Sequence, residues 1–147
     1  MFSDFSYDVF LSFSGGISNA FVDPLCRALH DKAISIFRSE DGETRPAIEE
    51  IDKSKMVIVV LCQNYAFSTE SLDELAKIRE YVDNRRKQVW TIFYMVEPSD
   101  VRKQRKSYKH AMNGHEMTYG KDSEKVKAWR EALTRVCDLS GIHCKDH

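Results

Sequence analysis

The stretch "MVIVVLCQNYAFSTESLDELAKI", residues 56–78, decides the fold. Its first seven residues form an unbroken apolar run rich in β-branched side chains, too short for a buried helix. A strand that is apolar throughout, rather than at alternate positions, suits one covered on both faces, as in a parallel sheet. After Ser71 the pattern changes. Leu72, Leu75, Ala76 and Val82 fall on one face of a helix. Strand, short polar loop and helix together make one α/β unit.

Working outward, "YDVFLSF" (residues 7–13) and "QVWTIFYMV" (88–96) have the same strand character, and "AISIFR" (33–38) is a weaker fourth strand. Phe21, Leu25, Ala28 and Leu29 predict a helix over about residues 19–31, with Pro24 in its first turn directly after Asp23 as cap. "PAIEEIDKS" (46–54) opens with proline and reads as a short helix. Val126, Trp129, Leu133 and Val136 stripe a last helix, expected to stop at Gly141. Alternation of this kind implies right-handed crossovers and a flavodoxin-like, doubly wound α/β domain, a three-layer sandwich around a central parallel sheet. A fifth strand is expected after Pro98, but no pattern places it. The expectation is one domain over 1–147, with its core at about 7–143.

Composition narrows the function. The 147 residues carry 22 basic and 23 acidic side chains, a net charge of −1. That balance argues against a nucleic-acid binder, and "NRRKQ" (84–88) and "VRKQRKSYKH" (101–110) read as solvated basic patches. None of the four cysteines, Cys26, Cys62, Cys137 and Cys144, forms a C-x-x-C pair, which suits a reducing compartment. His143, Cys144 and His147 cluster near the end without the second ligand pair a zinc site needs, so no metal is expected. No run reaches membrane-span length, and "MFSDFSYD" lacks a signal-peptide pattern. The expected address is cytosolic, with nuclear entry open, and no membrane partner.

In open α/β sheets ligands bind beyond the carboxyl ends of the strands. Four segments project there: residues 14–19, 38–45, 63–74 and 97–104. "SGGISN" (14–19) could cradle a phosphate at a helix start but is neither G-x-G-x-x-G nor a Walker loop. No strand ends in the aspartate that a phosphoacceptor domain needs. Ser71 and Glu74 match the capping box S-x-x-E, in which each side chain bonds the other residue's N–H. Glu74 has a second reading. A carboxylate in the crevice could stabilise an oxocarbenium-like ribose as a glycosidic bond breaks. NAD suits such a site, because nicotinamide leaves as a neutral molecule and needs no general acid.

Five stretches in order, "YDVFLSF", "AISIFR", "IVVLCQNYAFSTESLDELAKI", "IFYMVEPSDVRKQ" and "KAWREALTRVCDLSG", resemble the Toll/interleukin receptor-type (TIR) domains of plant immune receptors. The resemblance implies the flavodoxin-like fold. It also implies an NAD glycohydrolase whose catalytic glutamate lies in the "LDEL" motif, here Glu74. NAD+ or NADP+ would be substrate, with no prosthetic group, and the products would be nicotinamide and ADP-ribose or its cyclic isomers. Activity in the family depends on TIR–TIR association, homotypic or heterotypic, through the loop after the second strand. Ser14, Gly15, Gly16, Phe37, Arg38, Ser68 and Ser71 are the implied ligand-lining residues.

This chain departs from the pattern in several places. Ser14 stands where the family has an arginine, and Glu70 and Ser71 replace its tryptophan and cysteine. The loop "RSEDGETRP" (38–46) is short, although it keeps Gly42 and Glu43, and Asp23 and Pro24 replace a self-association pair. The alternative reading is therefore a catalytically weak adaptor or decoy acting through TIR–TIR contacts.

Overall fold

The computed structural model describes residues 5–14, 17–39, 48–139 and 141–144. Five strands form one sheet: β1 (Tyr7–Ser12), β2 (Ile36–Arg38), β3 (Ser54–Leu61), β4 (Gln88–Tyr94) and β5 (Gly141–Cys144). Their order is β2-β1-β3-β4-β5, and every neighbouring pair runs parallel. This is the doubly wound order whose switch point lies between β1 and β3. The helices are α1 (Asp23–His30), α2 (Ile48–Asp52), α3 (Thr69–Asn84), α4 (Pro98–Arg102), α5 (Ser107–Tyr119) and α6 (Glu124–Val136). A π turn over Ser18–Val22 precedes α1, and a 3-10 turn over Tyr65–Phe67 precedes α3.

The apolar run at the centre behaves as its sequence implies. Val57, Ile58, Val59, Val60 and Leu61 are all buried, odd and even positions alike, so both faces of β3 are covered. On β4 the two faces meet different layers. Tyr94 packs against Phe21 of the π turn at 4.7 Å between ring centres, whereas Thr91, of opposite parity, donates its hydroxyl to the Val136 carbonyl of α6.

Helix α3 buries Leu72, Leu75, Ile78 and Val82, spaced at three and four residues. Full burial of each such side chain contributes about 1.5–3 kcal/mol. The helix ends where Arg85 turns left-handed, at φ 54°, and gives its N–H to Tyr81 and Val82. Helix α6 buries Val126, Trp129, Ala132, Leu133 and Val136, and Ser123 caps its start by accepting from the Val126 N–H. Three polar links tie α3 to α6. Trp129 Nε1 donates to Asp73 Oδ1 at 3.0 Å, Arg79 pairs with Glu131 at 3.1 Å, and Arg135 pairs with Asp83 at 2.9 Å.

Three expectations change. The fifth strand, unplaced by pattern, is β5. Its four residues are too few to carry a period, and it begins at Gly141, where the last helix was expected to stop; α6 ends earlier, at Val136. Glycine is required at that start, because a Cβ there would lie 2.6 Å from the Phe93 ring and 3.0 Å from the Thr91 carbonyl. Asp23 does not cap α1. The backbone is already helical at Val22, and Asp23 stands in the first turn beside Pro24 with its carboxylate on Arg38 at 2.8 Å. The third change concerns the start of α3 and bears on the site.

Candidate functional site

Ser68 begins α3. Its backbone is extended, at φ −91° and ψ 116°, and its hydroxyl accepts the Ser71 N–H at 3.1 Å. The expected Ser71–Glu74 capping box is therefore not formed. Helix begins three residues earlier, at Thr69, and puts Ser71 and Glu74 inside it, the Ser71 N–H taken by the Ser68 cap and Glu74 a full turn further on. The reason is local: Ser68 follows a 3-10 turn that already points the chain into the helix, whereas Ser71 sits within its first turn.

That shift frees the Glu74 side chain for another use. It is buried, at 4% exposure, and faces the carboxyl ends of β1 and β2. Ser12, the last residue of β1, donates its hydroxyl to Glu74 Oε1 at 2.9 Å. Ser39, just past β2, lies with its hydroxyl 2.6 Å from both carboxylate oxygens. The Ser39 N–H bonds the Leu11 carbonyl at 2.9 Å, which extends the β1–β2 ladder by one rung and fixes this serine in place. Behind Ser12 stands Tyr65, fully buried, with its phenol oxygen 2.8 Å from the Ser12 hydroxyl and 3.1 Å from the Ser71 carbonyl. A buried carboxylate seated on hydroxyl donors is aimed and held rather than free to rotate.

The other expected ligand residues make contacts of their own. Ser14 is buried, its hydroxyl 3.1 Å from the Cys62 thiol. The Phe37 ring stacks on Phe10 at 5.5 Å and meets Tyr7 edge-on at 5.3 Å. Arg38 reaches Asp23 and lies over the Phe13 ring at 5.6 Å. Ser68 serves as the helix cap, and Ser71 is buried beneath α3. Gly15, Gly16 and the loop with Gly42 and Glu43 lie outside the described residues. Ser12, Ser39 and Tyr65 are the members that sequence reasoning missed. Ser12 carried a signal, being a polar residue that closes a strand expected to be buried on both faces. Ser39 and Tyr65 carried none.

A hollow of about 440 Å³ opens further along the same edge, beyond β3, β4 and β5. Gln63, Met95, Glu97, Lys106, Tyr108 and His143 line it, and none of the expected site residues does. Its floor is set by Tyr108, whose hydroxyl donates to the Cys62 carbonyl at 2.6 Å. Burial pushes that phenol well above its ordinary value, so it stays neutral. Among the described residues no group of three His, Cys, Asp or Glu side chains is arranged to hold a metal ion, and no helix is long and apolar enough to cross a membrane.

A 2-1-3-4-5 parallel sheet with a buried carboxylate at the carboxyl ends of its first strands defines a flavodoxin-like α/β domain. Comparison with known proteins makes this specific. The TIR domain family model matches residues 6–147. TMV resistance protein N of Nicotiana glutinosa is 41% identical over 146 residues, covering 95% of this chain and 13% of that protein. Disease resistance protein RPV1 of Vitis rotundifolia is 40% identical over 147 residues, 96% of this chain and 10% of that protein. In structure, the TIR domains of the activated Roq1 resistosome match with a TM-score of 0.83 at 40% identity, covering 94% of this chain and 87% of that one. The chain belongs to the TIR family and is a TIR domain of the kind carried by plant disease-resistance proteins. It spans between a tenth and a seventh of the length of such relatives.

Proposed function

We propose that this domain hydrolyses NAD+ or NADP+ to nicotinamide and ADP-ribose, or a cyclic isomer, when copies of it associate. The observation that carries the reading is Glu74, buried at the carboxyl edge of the sheet and held by Ser12 and Ser39. Cleavage of the N-glycosidic bond sends its electron pair to the nicotinamide ring, which departs neutral. Positive charge develops at C1′ of the ribose, and a fixed carboxylate in a site of low dielectric stabilises it. Water then attacks C1′. The likeness to TIR domains within the Roq1 resistosome supports association as the trigger, and a plant immune role follows from the relatives. Other TIR domains are the proposed partners.

One observation favours the second reading, an adaptor of low activity. Ser14, where the resemblance calls for an arginine, is buried against Cys62 and offers no cation to a dinucleotide phosphate. The test is nicotinamide release from concentrated purified domain, alone and on a scaffold that enforces assembly, beside Glu74→Ala. Release abolished by the substitution supports the hydrolase. Absence of release even under enforced assembly leaves the adaptor.

A further inference from the structure

The hydroxyls behind Glu74 obey a count of protons. Three contacts run in series: Glu74 Oε1 to Ser12 Oγ at 2.9 Å, Ser12 Oγ to Tyr65 Oη at 2.8 Å, and Tyr65 Oη to the Ser71 carbonyl at 3.1 Å. Each contact needs one hydrogen. Ser12 and Tyr65 supply one apiece, and a backbone carbonyl supplies none. With Glu74 ionised, two hydrogens serve three contacts, and one pair of buried oxygens meets lone pair to lone pair. With a proton on Oε1, Glu74 donates to Ser12, Ser12 to Tyr65 and Tyr65 to the carbonyl, so all three contacts are filled. Further partners of these groups leave that count unchanged, because none adds a hydrogen to these three contacts.

We propose that Ser12 and Tyr65 form a proton-accommodating relay behind Glu74, with Tyr65 a positioning residue that lets the carboxylate receive and keep a proton. The proposal rests on the hydrolase reading for its use. When water attacks C1′ its oxygen bonds the carbon and one of its protons passes to Glu74, to be released later to solvent; the sum is NAD+ and water giving ADP-ribose, nicotinamide and a proton. Ser39, 2.6 Å from both carboxylate oxygens, stands where it can pass the proton from one to the other.

The neighbouring ionisable groups have contacts of their own among the described residues. Arg38 pairs with Asp23, Asp73 accepts from Trp129, Glu70 accepts from Ser68 and Thr69, Glu50 of α2 pairs with Lys53, and the Cys62 thiol meets Ser14. Tyr65 is the ionisable group that reaches Glu74 through a hydroxyl among the described residues.

The test follows the Glu74 carboxyl itself by NMR in protein labelled with carbon-13 at glutamate carboxyls, with Glu74→Ala to assign the signal. In Tyr65→Phe the count changes: Ser12 keeps one contact and one hydrogen, and the ionised form no longer carries an empty one. The protonation midpoint of Glu74 should fall, by roughly a 3- to 10-fold change in the protonation equilibrium, as expected for the loss of about one hydrogen bond from the neutral state. Tyr108→Phe, which removes an equally buried hydroxyl from the Cys62 carbonyl, should leave the midpoint in place. A midpoint unmoved or raised in a folded Tyr65→Phe protein overturns the relay. Nicotinamide release against pH is measured on the same samples. Glu74-dependent release with no change in midpoint sinks the relay and spares the hydrolase; a lowered midpoint with no release does the reverse.

Discussion

Replacing Ser68 and Ser71 by alanine, one at a time, distinguishes two ways of starting α3. If Ser68 is the cap, Ser68→Ala removes the acceptor of the Ser71 N–H, now 3.1 Å away, and costs about 1 kcal/mol, within a range of roughly 0.5–2. For a domain of this size each kcal/mol lowers Tm by about 2–4 °C. Ser71→Ala should behave differently. The residue is 1% exposed and its hydroxyl, among the described residues, has no hydrogen-bond partner. Removing an unpaired buried hydroxyl relieves a penalty of about 1–3 kcal/mol, offset in part by the small void left behind. Alanine also favours the helix interior by a few tenths of a kcal/mol. The net should lie between zero and about 1 kcal/mol of stabilisation. Urea unfolding followed by far-UV circular dichroism, with slopes compared to exclude changes in the unfolded state, reads both variants. A larger loss from Ser71→Ala than from Ser68→Ala would refute the helix start, and with it the argument that Glu74 is free of a capping task.

Gly141→Ala should destabilise by about 1–3 kcal/mol through overpacking against Phe93 and the Thr91 carbonyl, seen as a lowered urea midpoint. Cys137, its thiol pushed up to about 12 mainly by burial, should resist a thiol reagent at about pH 8 until the protein is unfolded; stoichiometric labelling of the folded protein would contradict this. Asp8 is held below its ordinary value of 3.8, chiefly by the Ser35 N–H at 2.8 Å. Its contribution is present above that value and is lost as pH falls through the lowered one, so Asp8→Asn should flatten the acid side of the Tm–pH curve. Trp129→Phe should cost about 1–2 kcal/mol in thermal melts, because the Asp73 carboxylate loses its indole donor.

The fold was legible where burial is two-sided. Residues 56–62 announce a central parallel strand because every position is apolar, and β1 and β4 repeat the two-sided burial only in their second halves, with Trp90 of β4 still exposed. Element ends were less legible. Ser68 and Ser71 are both serines, and only the preceding 3-10 turn tells which one caps. The strand β5 was unreadable for a different reason, since Ile142 is exposed and four residues hold too little pattern. Glu74 could be singled out from sequence, but its holders could not. Ser12 and Ser39 reach it across separations of 62 and 35 residues, and Tyr65 joins them by meeting Ser12 across 53, distances no local rule spans.

The ties between α3 and α6 have a mechanical consequence. Turning α3 by one residue's worth, about 100° around its axis, would swing Glu74 away from Ser12 and Ser39. The same turn would tear Asp73 from Trp129, Arg79 from Glu131 and Asp83 from Arg135 together. The aim of one acidic group is thus braced by a helix some fifty residues later in the chain, as a splint steadies a limb from its far side.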